Sequence, residues 1–129
     1  MNKPYSVLLV DDDKFLLGMY QKKFEKYGVN ADMCVGPEEA LSKLRAGGKY
    51  DILVLDIIMP GMDGLELLKA IRQEKLSEKS LVVMLTNESA SSKIEEAKNL
   101  GVAGYIVKAT SIPSEVVEEI IKIADRDIK

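Results

Sequence analysis

Four short apolar runs in this sequence each end at residues that could take part in chemistry. These residues are Asp11, Asp12 and Asp13 after the first run, Asp56 after the second, Thr86 after the third and Lys108 after the fourth. Carboxylate oxygens bind hard divalent cations, and a lysine with a hydroxyl can bind the oxygens of a phosphoryl group. An aspartate can also act as a nucleophile and form an acyl phosphate. If these side chains meet, phosphoryl chemistry assisted by a metal ion is the chemistry they suit.

Whether they meet depends on the elements that carry them. The runs at residues 6–10, 81–85 and 104–107, and the run at 51–56 between its two terminal aspartates, are apolar and rich in Val, Ile and Leu, which is typical of strands covered on both faces. A fifth, more polar run at residues 29–34 suits a strand near the edge of a sheet. Ligands of parallel sheets bind at the carboxyl ends of the strands. The strand assignment therefore predicts that the acids, the threonine and the lysine converge on one edge.

Segments with helical periodicity separate the strands. Their apolar positions are Phe15, Leu16, Met19, Tyr20 and Phe24; then Ala40, Leu41 and Leu44; then Leu65, Leu68 and Ile71; then Ile94, Ala97 and Leu100; and finally Val116, Val117, Ile120, Ile121 and Ala124. Strands joined by crossover helices run parallel, and right-handed crossovers place helices on both faces of the sheet. The sequence therefore predicts an α/β fold, a doubly wound (βα)5 three-layer sandwich around a five-stranded parallel sheet.

Clustered carboxylates also indicate which metal they would hold. Several carboxylates within a few ångströms repel one another, and a hard divalent cation removes the conflict. Ligands that are all oxygen select Mg²⁺ or Ca²⁺ over zinc, and Mg²⁺ commonly bridges carboxylates to phosphoryl oxygens.

Each residue also has an interpretation without chemistry. Asp13 could serve only to open the first helix, where an acidic side chain complements the helix dipole. Thr86 alone would be ordinary, and Lys108 alone could be a solvated surface charge. Asp56 is harder to explain in this way, because it follows four apolar residues. A carboxylate within an apolar stretch is costly unless something compensates it.

Composition excludes several function classes. The chain has 129 residues and a formal net charge of −3, which argues against direct nucleic-acid binding, because phosphate recognition needs a basic patch. The 47% hydrophobic and 30% charged residues are typical of one globular domain. The chain has no histidine, which excludes Ser-His-Asp catalysis, imidazole metal ligation and a role as a histidine phosphodonor.

The same sequence predicts a cytoplasmic protein with no membrane segment. No apolar stretch approaches the ~18 residues of a membrane span, and the N-terminal residues lack the apolar region of a signal peptide. Cys34 is the only cysteine, so an internal disulfide is impossible and a reducing compartment is expected.

The motifs resemble those of the receiver domain of bacterial two-component response regulators, of the single-domain chemotaxis type, over essentially the whole chain. The matching residues are 8–12, 55–64, 84–86 and 104–108. The acidic pair, the Asp-x-x-Met-Pro-x-Met-Asp-Gly run, the threonine and the lysine have the order and spacing of that family. The resemblance implies a flavodoxin-like strand order of 2-1-3-4-5. It also implies that residues 1–129 form one receiver domain, with a core of about 5–124.

The resemblance further implies a role for each residue that would handle the phosphoryl group. Asp56 would be its acceptor, and Lys108 would bind its oxygens. Thr86 would be the switch hydroxyl that moves toward the phosphoryl group, and Tyr105 the aromatic side chain that turns inward behind it.

The implied cofactor is Mg²⁺. Its protein ligands would be the side chains of Asp12 and Asp56 and the backbone carbonyl of Ile58, with Asp11 completing the acidic metal site. Ile58 and Glu88, two residues after the phosphoacceptor and two after the switch threonine, occupy positions that tune the lifetime of the phosphorylated state. Apolar Ile58 offers no hydrogen bond to an attacking water, which predicts a long-lived acyl phosphate.

The chain departs from the family after Lys108. The family usually continues with Pro and Phe, commonly through a cis bond, whereas this chain has Ala109 and Thr110. A cis bond before alanine costs about 3–4 kcal/mol relative to trans. Either the loop holds that strain or the bond is trans and Lys108 is shifted.

The resemblance implies partners rather than a substrate. The phosphodonor would be a sensor histidine kinase or a phosphotransfer protein, and an output protein would bind the fourth helix, fifth strand and fifth helix. The chain would not be an enzyme, since it would catalyse only its own phosphorylation and slow autodephosphorylation. A stand-alone regulator and a receiver of a longer protein both fit. Two alternatives are a degenerate receiver used for docking or dimerisation, and a haloacid-type hydrolase, which needs a second acid where Ile58 stands.

Overall fold

The computed structural model describes residues 5–87, 91–108 and 111–128, and for residue 91 the backbone alone. Its elements, in chain order, are β1 (Ser6–Asp11), α1 (Lys14–Lys26), β2 (Asn30–Val35), α2 (Pro37–Arg45), β3 (Ile52–Asp56), α3 (Gly64–Gln73), β4 (Leu81–Thr86), α4 (Ser91–Asn99), β5 (Gly104–Val107) and α5 (Pro113–Asp127). Glu88 and the Lys108–Ala109 bond, both singled out from the sequence, lie outside the described residues.

The strands form a parallel sheet in the order β2-β1-β3-β4-β5, which confirms the predicted fold and strand order. The more polar strand β2 lies at an edge, as its composition predicts. In the described part of the chain, no helix is long and apolar enough to cross a membrane.

Two apolar cores cover the two faces of the sheet. Successive strand residues point to opposite faces, so Val7 and Leu9 of β1 pack with α1 and α5, whereas Leu8 and Val10 pack with α2 and α3. We call these the α1/α5 face and the α2–α4 face. Continuous apolar runs are therefore required in the central strands, because every residue there meets a helix.

One apolar residue of the first helix does not join the core. Phe15 belongs to the apolar pattern of the first helix, but its side chain is 79% exposed. The buried residues of α1 are Leu17, Tyr20 and Phe24, spaced three and four apart. At 3.6 residues per turn, Phe15 lies about 200° around the helix from Leu17 and faces solvent.

The loop from β3 to α3 is held tightly against the end of β3. The Gly64 N–H donates to the carbonyl oxygen of Ile57 over 2.8 Å and closes the loop. A Cβ atom on Gly64 would lie 2.2 Å from the backbone oxygen of Asp56. Asp63 caps α3, because its side chain accepts from the Glu66 N–H over 2.8 Å. Only glycine allows the helix to begin this close to Asp56.

We expect Gly64→Ala to lower the free energy of unfolding by about 1–3 kcal/mol or more, since backbone must move to relieve the clash. Gly18→Ala is the matched control. Gly18 lies within α1, and a Cβ atom added to it would have no neighbour within 4 Å, so alanine should stabilise by about 1 kcal/mol. Urea denaturation measures both, and equal effects of the two substitutions would contradict the close approach.

Candidate functional site

Three carboxylates meet at the carboxyl edge of the sheet. Asp11 ends β1, Asp12 follows it, and Asp56 ends β3, the strand next to β1. Each can offer one oxygen, and these three oxygens lie within 4.8 Å of one another. Asp11 and Asp56 are buried, with 1% and 3% of their surfaces exposed, whereas Asp12 is open to solvent.

Lys108 reaches the same cluster from the end of β5. Its Nζ atom lies 3.0 Å from Oδ2 of Asp11 and 3.2 Å from Oδ1 of Asp56, and its side chain is 8% exposed. Burial acts against the charged form of Lys108, but attraction to Asp56 and Asp11 outweighs it, so the pKa of the lysine is raised. Lys108 therefore stays positively charged beside the two buried carboxylates.

A single ammonium does not neutralise this cluster. Burial, followed by repulsion from Asp11, raises the pKa of Asp56 from its ordinary value of 3.8 to about 7, although Lys108 acts in the opposite direction. Partial desolvation, with a contribution from Asp11, also raises the pKa of Asp12. The negative charge at this edge is therefore held at a cost in free energy.

One carboxylate oxygen of Asp56 accepts no hydrogen bond from the described residues. The contact from Lys108 to Oδ1 of Asp56 lacks hydrogen-bond geometry, and within the described part of the chain this buried oxygen has no hydrogen-bond partner. Buried polar atoms are rarely left in this state unless an ion or water completes them. Three carboxylates, one of which has an orphaned oxygen, fit a hard divalent cation.

The loop after β1 fixes the orientation of Asp11. Oδ1 of Asp11 accepts from the backbone N–H of Asp13 over 3.0 Å, while its other oxygen contacts Lys108. Asp13 itself caps α1, because its side chain accepts from the Leu16 N–H over 3.0 Å. Of the three consecutive acids, Asp13 therefore has the role of opening the first helix, which is the interpretation without chemistry given for it above.

The remaining candidate residues lie around this cluster. Thr86 ends β4 beside Asp56 of β3 and is 2% exposed. Tyr105 of β5 is 38% exposed, on the outside of the domain. Ile58, in the loop after β3, is 49% exposed, whereas its neighbours Ile57 and Met59 are buried. The side chain of Ile58 therefore faces solvent, two residues after Asp56.

The sequence patterns assign no role in the site to Tyr20 and no partner to Asp63. Tyr20 of α1 is 3% exposed; burial, together with the charges of Asp11 and Asp56, raises the pKa of its phenol. Asp63, the cap of α3, forms an ion pair with Lys93 of α4 at 3.3 Å. The helical spacing of Tyr20 indicates only that it is buried, and no spacing rule pairs residues 63 and 93.

Comparisons with known proteins agree with this geometry. Residues 7–121 match the model of the response regulator receiver domain family. Over 126 residues the chain is 32% identical to the chemotaxis protein CheY-3 of Vibrio cholerae serotype O1, covering 98% of this chain and 96% of that protein. The chain belongs to the response regulator receiver domain family. Members of this family are phosphoacceptor switches, and the family is not a classical enzyme family.

Solved structures give the same result. The chain is similar to chemotaxis protein CheY4 of Vibrio cholerae with a TM-score of 0.81 and 28% identity, covering 92% of this chain and 98% of that one. It is also similar to the response regulator TrrA of Thermotoga maritima, solved in complex with Mg²⁺ and BeF, with a TM-score of 0.75, 29% identity and the same coverage of 92% and 98%.

We expect Asp56→Asn to raise the free energy of unfolding at pH 8 without divalent cations by on the order of 2 kcal/mol, because it removes one of the crowded negative charges. Because the pKa of Asp56 is raised in the folded state, its ionisation there is less favourable than in the unfolded chain. The free energy of unfolding therefore falls as the pH rises from about 4 through about 7. The gain should therefore shrink toward pH 4. Denaturation at both pH values measures it, and a variant less stable at pH 8 would contradict the repulsion.

Proposed function

We propose that Asp56 is the residue that accepts the phosphoryl group, in a site that holds Mg²⁺ between Asp11, Asp12, Asp56 and the backbone carbonyl of Ile58. The observation that carries this proposal is the buried Asp56 carboxylate, with an orphaned oxygen 3.2 Å from the Lys108 ammonium. The structure of TrrA with Mg²⁺ and BeF supports the same chemistry for a similar protein. On this proposal, residues 1–129 act as one receiver domain.

In the proposed reaction, an Asp56 carboxylate oxygen attacks the phosphorus of a phosphohistidine. The new O–P bond forms as the P–N bond breaks, and the electron pair of that bond leaves with the imidazole of the donor. Lys108 contacts the phosphoryl oxygens and offsets their charge, while Asp11 holds the ammonium in place. When bound, Mg²⁺ supplies the positive charge that the three carboxylates and the phosphoryl group require together.

The proposed partners follow from this reaction. The donor is a sensor histidine kinase or phosphotransfer protein in the cytoplasm. The product adds about 1.5–2 negative charges beside Thr86. Thr86 then turns toward the phosphoryl group and Tyr105 turns inward, which changes the surface of α4, β5 and α5 for an output protein.

The register of the sheet supports the link between Thr86 and Tyr105. Tyr105 pairs with Met84, and Val107 pairs with Thr86, so Tyr105 is a diagonal neighbour of Thr86. Met84 packs on the α2–α4 face, and alternation places Thr86 and Tyr105 on that same face. A movement of Thr86 therefore changes the space into which the Tyr105 ring can turn.

We expect the chain to gain the mass of one phosphoryl group when it is incubated with acetyl phosphate and Mg²⁺. Intact-protein mass spectrometry measures the gain, and chelation of Mg²⁺ should abolish it. Asp56→Asn should not gain mass, with Asp51→Asn, a half-buried acid of the opposite sheet edge, as a matched control. Phosphorylation of the Asp56→Asn chain to the same extent would contradict the proposal, and continuous release of phosphate without an adduct would indicate a hydrolase.

We also expect Ile58→Asn to shorten the lifetime of the phosphorylated chain several-fold. The apolar side chain is exposed two residues after Asp56, and on this proposal an amide there can hydrogen-bond an attacking water. Ile58→Leu keeps the apolar character and should leave the lifetime near that of the wild type. Loss of the mass adduct over time gives both rates, and an unchanged rate in Ile58→Asn would contradict this role.

A further inference from the structure

An aromatic–cation contact joins α4 to β5 at the surface that the proposed switch would change. The Nζ atom of Lys98 lies 6.0 Å from the centroid of the Tyr105 ring. Lys98 is exposed on the last turn of α4, and Tyr105 is 38% exposed while Ile106 beside it is buried. A lysine over the face of a tyrosine ring attracts it through the ring quadrupole.

The contact exists only while the Tyr105 ring points outward. In that position the ring lies near Lys98 and remains partly in water. If the ring turned inward, beside Met84 and Thr86 on the α2–α4 face, it would leave the exposed Lys98 behind. The ammonium therefore favours one of the two ring positions over the other, and only such a difference can shift a two-state equilibrium.

The helix that carries Lys98, α4, makes few apolar contacts with the rest of the domain. Of the side chains that the structure describes in α4, Ala97 alone is fully buried, and Ile94 is half-buried. Two ion pairs with α3 hold the helix from its side: Lys93 with Asp63 at 3.3 Å, and Glu96 with Lys69 at 2.7 Å. Exposed ion pairs contribute little stability. A weak contact such as the one from Lys98 therefore matters more here than it would on a deeply packed helix.

We propose that Lys98 is a positioning residue of the switch, which holds Tyr105 in its outward orientation in the unphosphorylated chain and so lowers the resting population of the active state. This inference rests on the proposed function of Thr86 and Tyr105. An exposed cation–π contact corresponds to a shift of roughly two- to fivefold in such a population. Removing the ammonium should therefore raise the population of chains with Tyr105 turned inward by this factor, before any phosphorylation.

Fluorine NMR of protein labelled with 3-fluorotyrosine tests this proposal. The chain has five tyrosines, and Tyr105→Phe assigns the resonance of Tyr105 by its loss. The resonance is followed in the wild type without ligand and during titration with beryllofluoride in the presence of Mg²⁺. Lys98→Met removes the charge but keeps the length of the side chain, Lys98→Arg keeps the charge, and Lys22→Met removes an exposed lysine from α1, on the other face of the sheet.

In Lys98→Met without ligand, we expect the Tyr105 resonance to move toward its beryllofluoride-bound position. The beryllofluoride concentration at half-saturation should fall roughly two- to fivefold, because more chains are already in the binding-competent state. Lys98→Arg and Lys22→Met should behave as the wild type. If the wild type responds to beryllofluoride but Lys98→Met matches it in both measurements, the role of Lys98 is wrong. If the wild-type Tyr105 resonance does not respond at all, the proposed switch itself fails.

Discussion

Carboxylates at one edge of the sheet repel one another, and this repulsion is the main physical constraint on the site. Asp11 and Asp56 are almost fully buried, with Asp12 beside them, and Lys108 is the one ammonium in contact with the buried pair among the described residues. The pKa of Asp56, raised to about 7 by burial and by Asp11, records the remaining imbalance. An arrangement of this kind lowers stability without a ligand and favours binding of a cation, which is how a fold can trade stability for function.

The fold holds this unfavourable arrangement because its rigid parts surround it. Asp11 and Asp56 end neighbouring strands whose other residues are buried in two cores, so neither can move away without disrupting the sheet. Gly64 lets α3 begin against the backbone of Asp56, and the Asp13 N–H orients Asp11. By contrast, α4 is attached mainly by surface contacts. Thr86, the proposed switch residue, therefore ends a strand that is packed between two cores and that precedes a loosely attached helix.

The sequence predicts the fold and the meeting of the acids with Lys108 because both follow from strand ends. An apolar run that stops at a charged residue locates that residue at an edge, and parallel strands share the edge. The apolar pattern alone does not show that Phe15 is exposed, because an apolar residue in the first turn of a helix can fall on either face. The Lys98–Tyr105 and Lys93–Asp63 contacts could not be predicted, since they depend on how α4 lies against its neighbours. Roles for Ile58 and Glu88 came from resemblance and remain predictions.

On the proposed function, the phosphoryl group is attached to the side chain of Asp56. Reduction of the phosphorylated chain with borohydride converts an aspartyl phosphate to homoserine and leaves free carboxylates unchanged, so peptide mapping by mass spectrometry locates the modified residue. We expect homoserine at position 56, formed only when both phosphodonor and Mg²⁺ are present. Homoserine at position 11 or 12, or none anywhere in a chain that has gained a phosphoryl group, would contradict it.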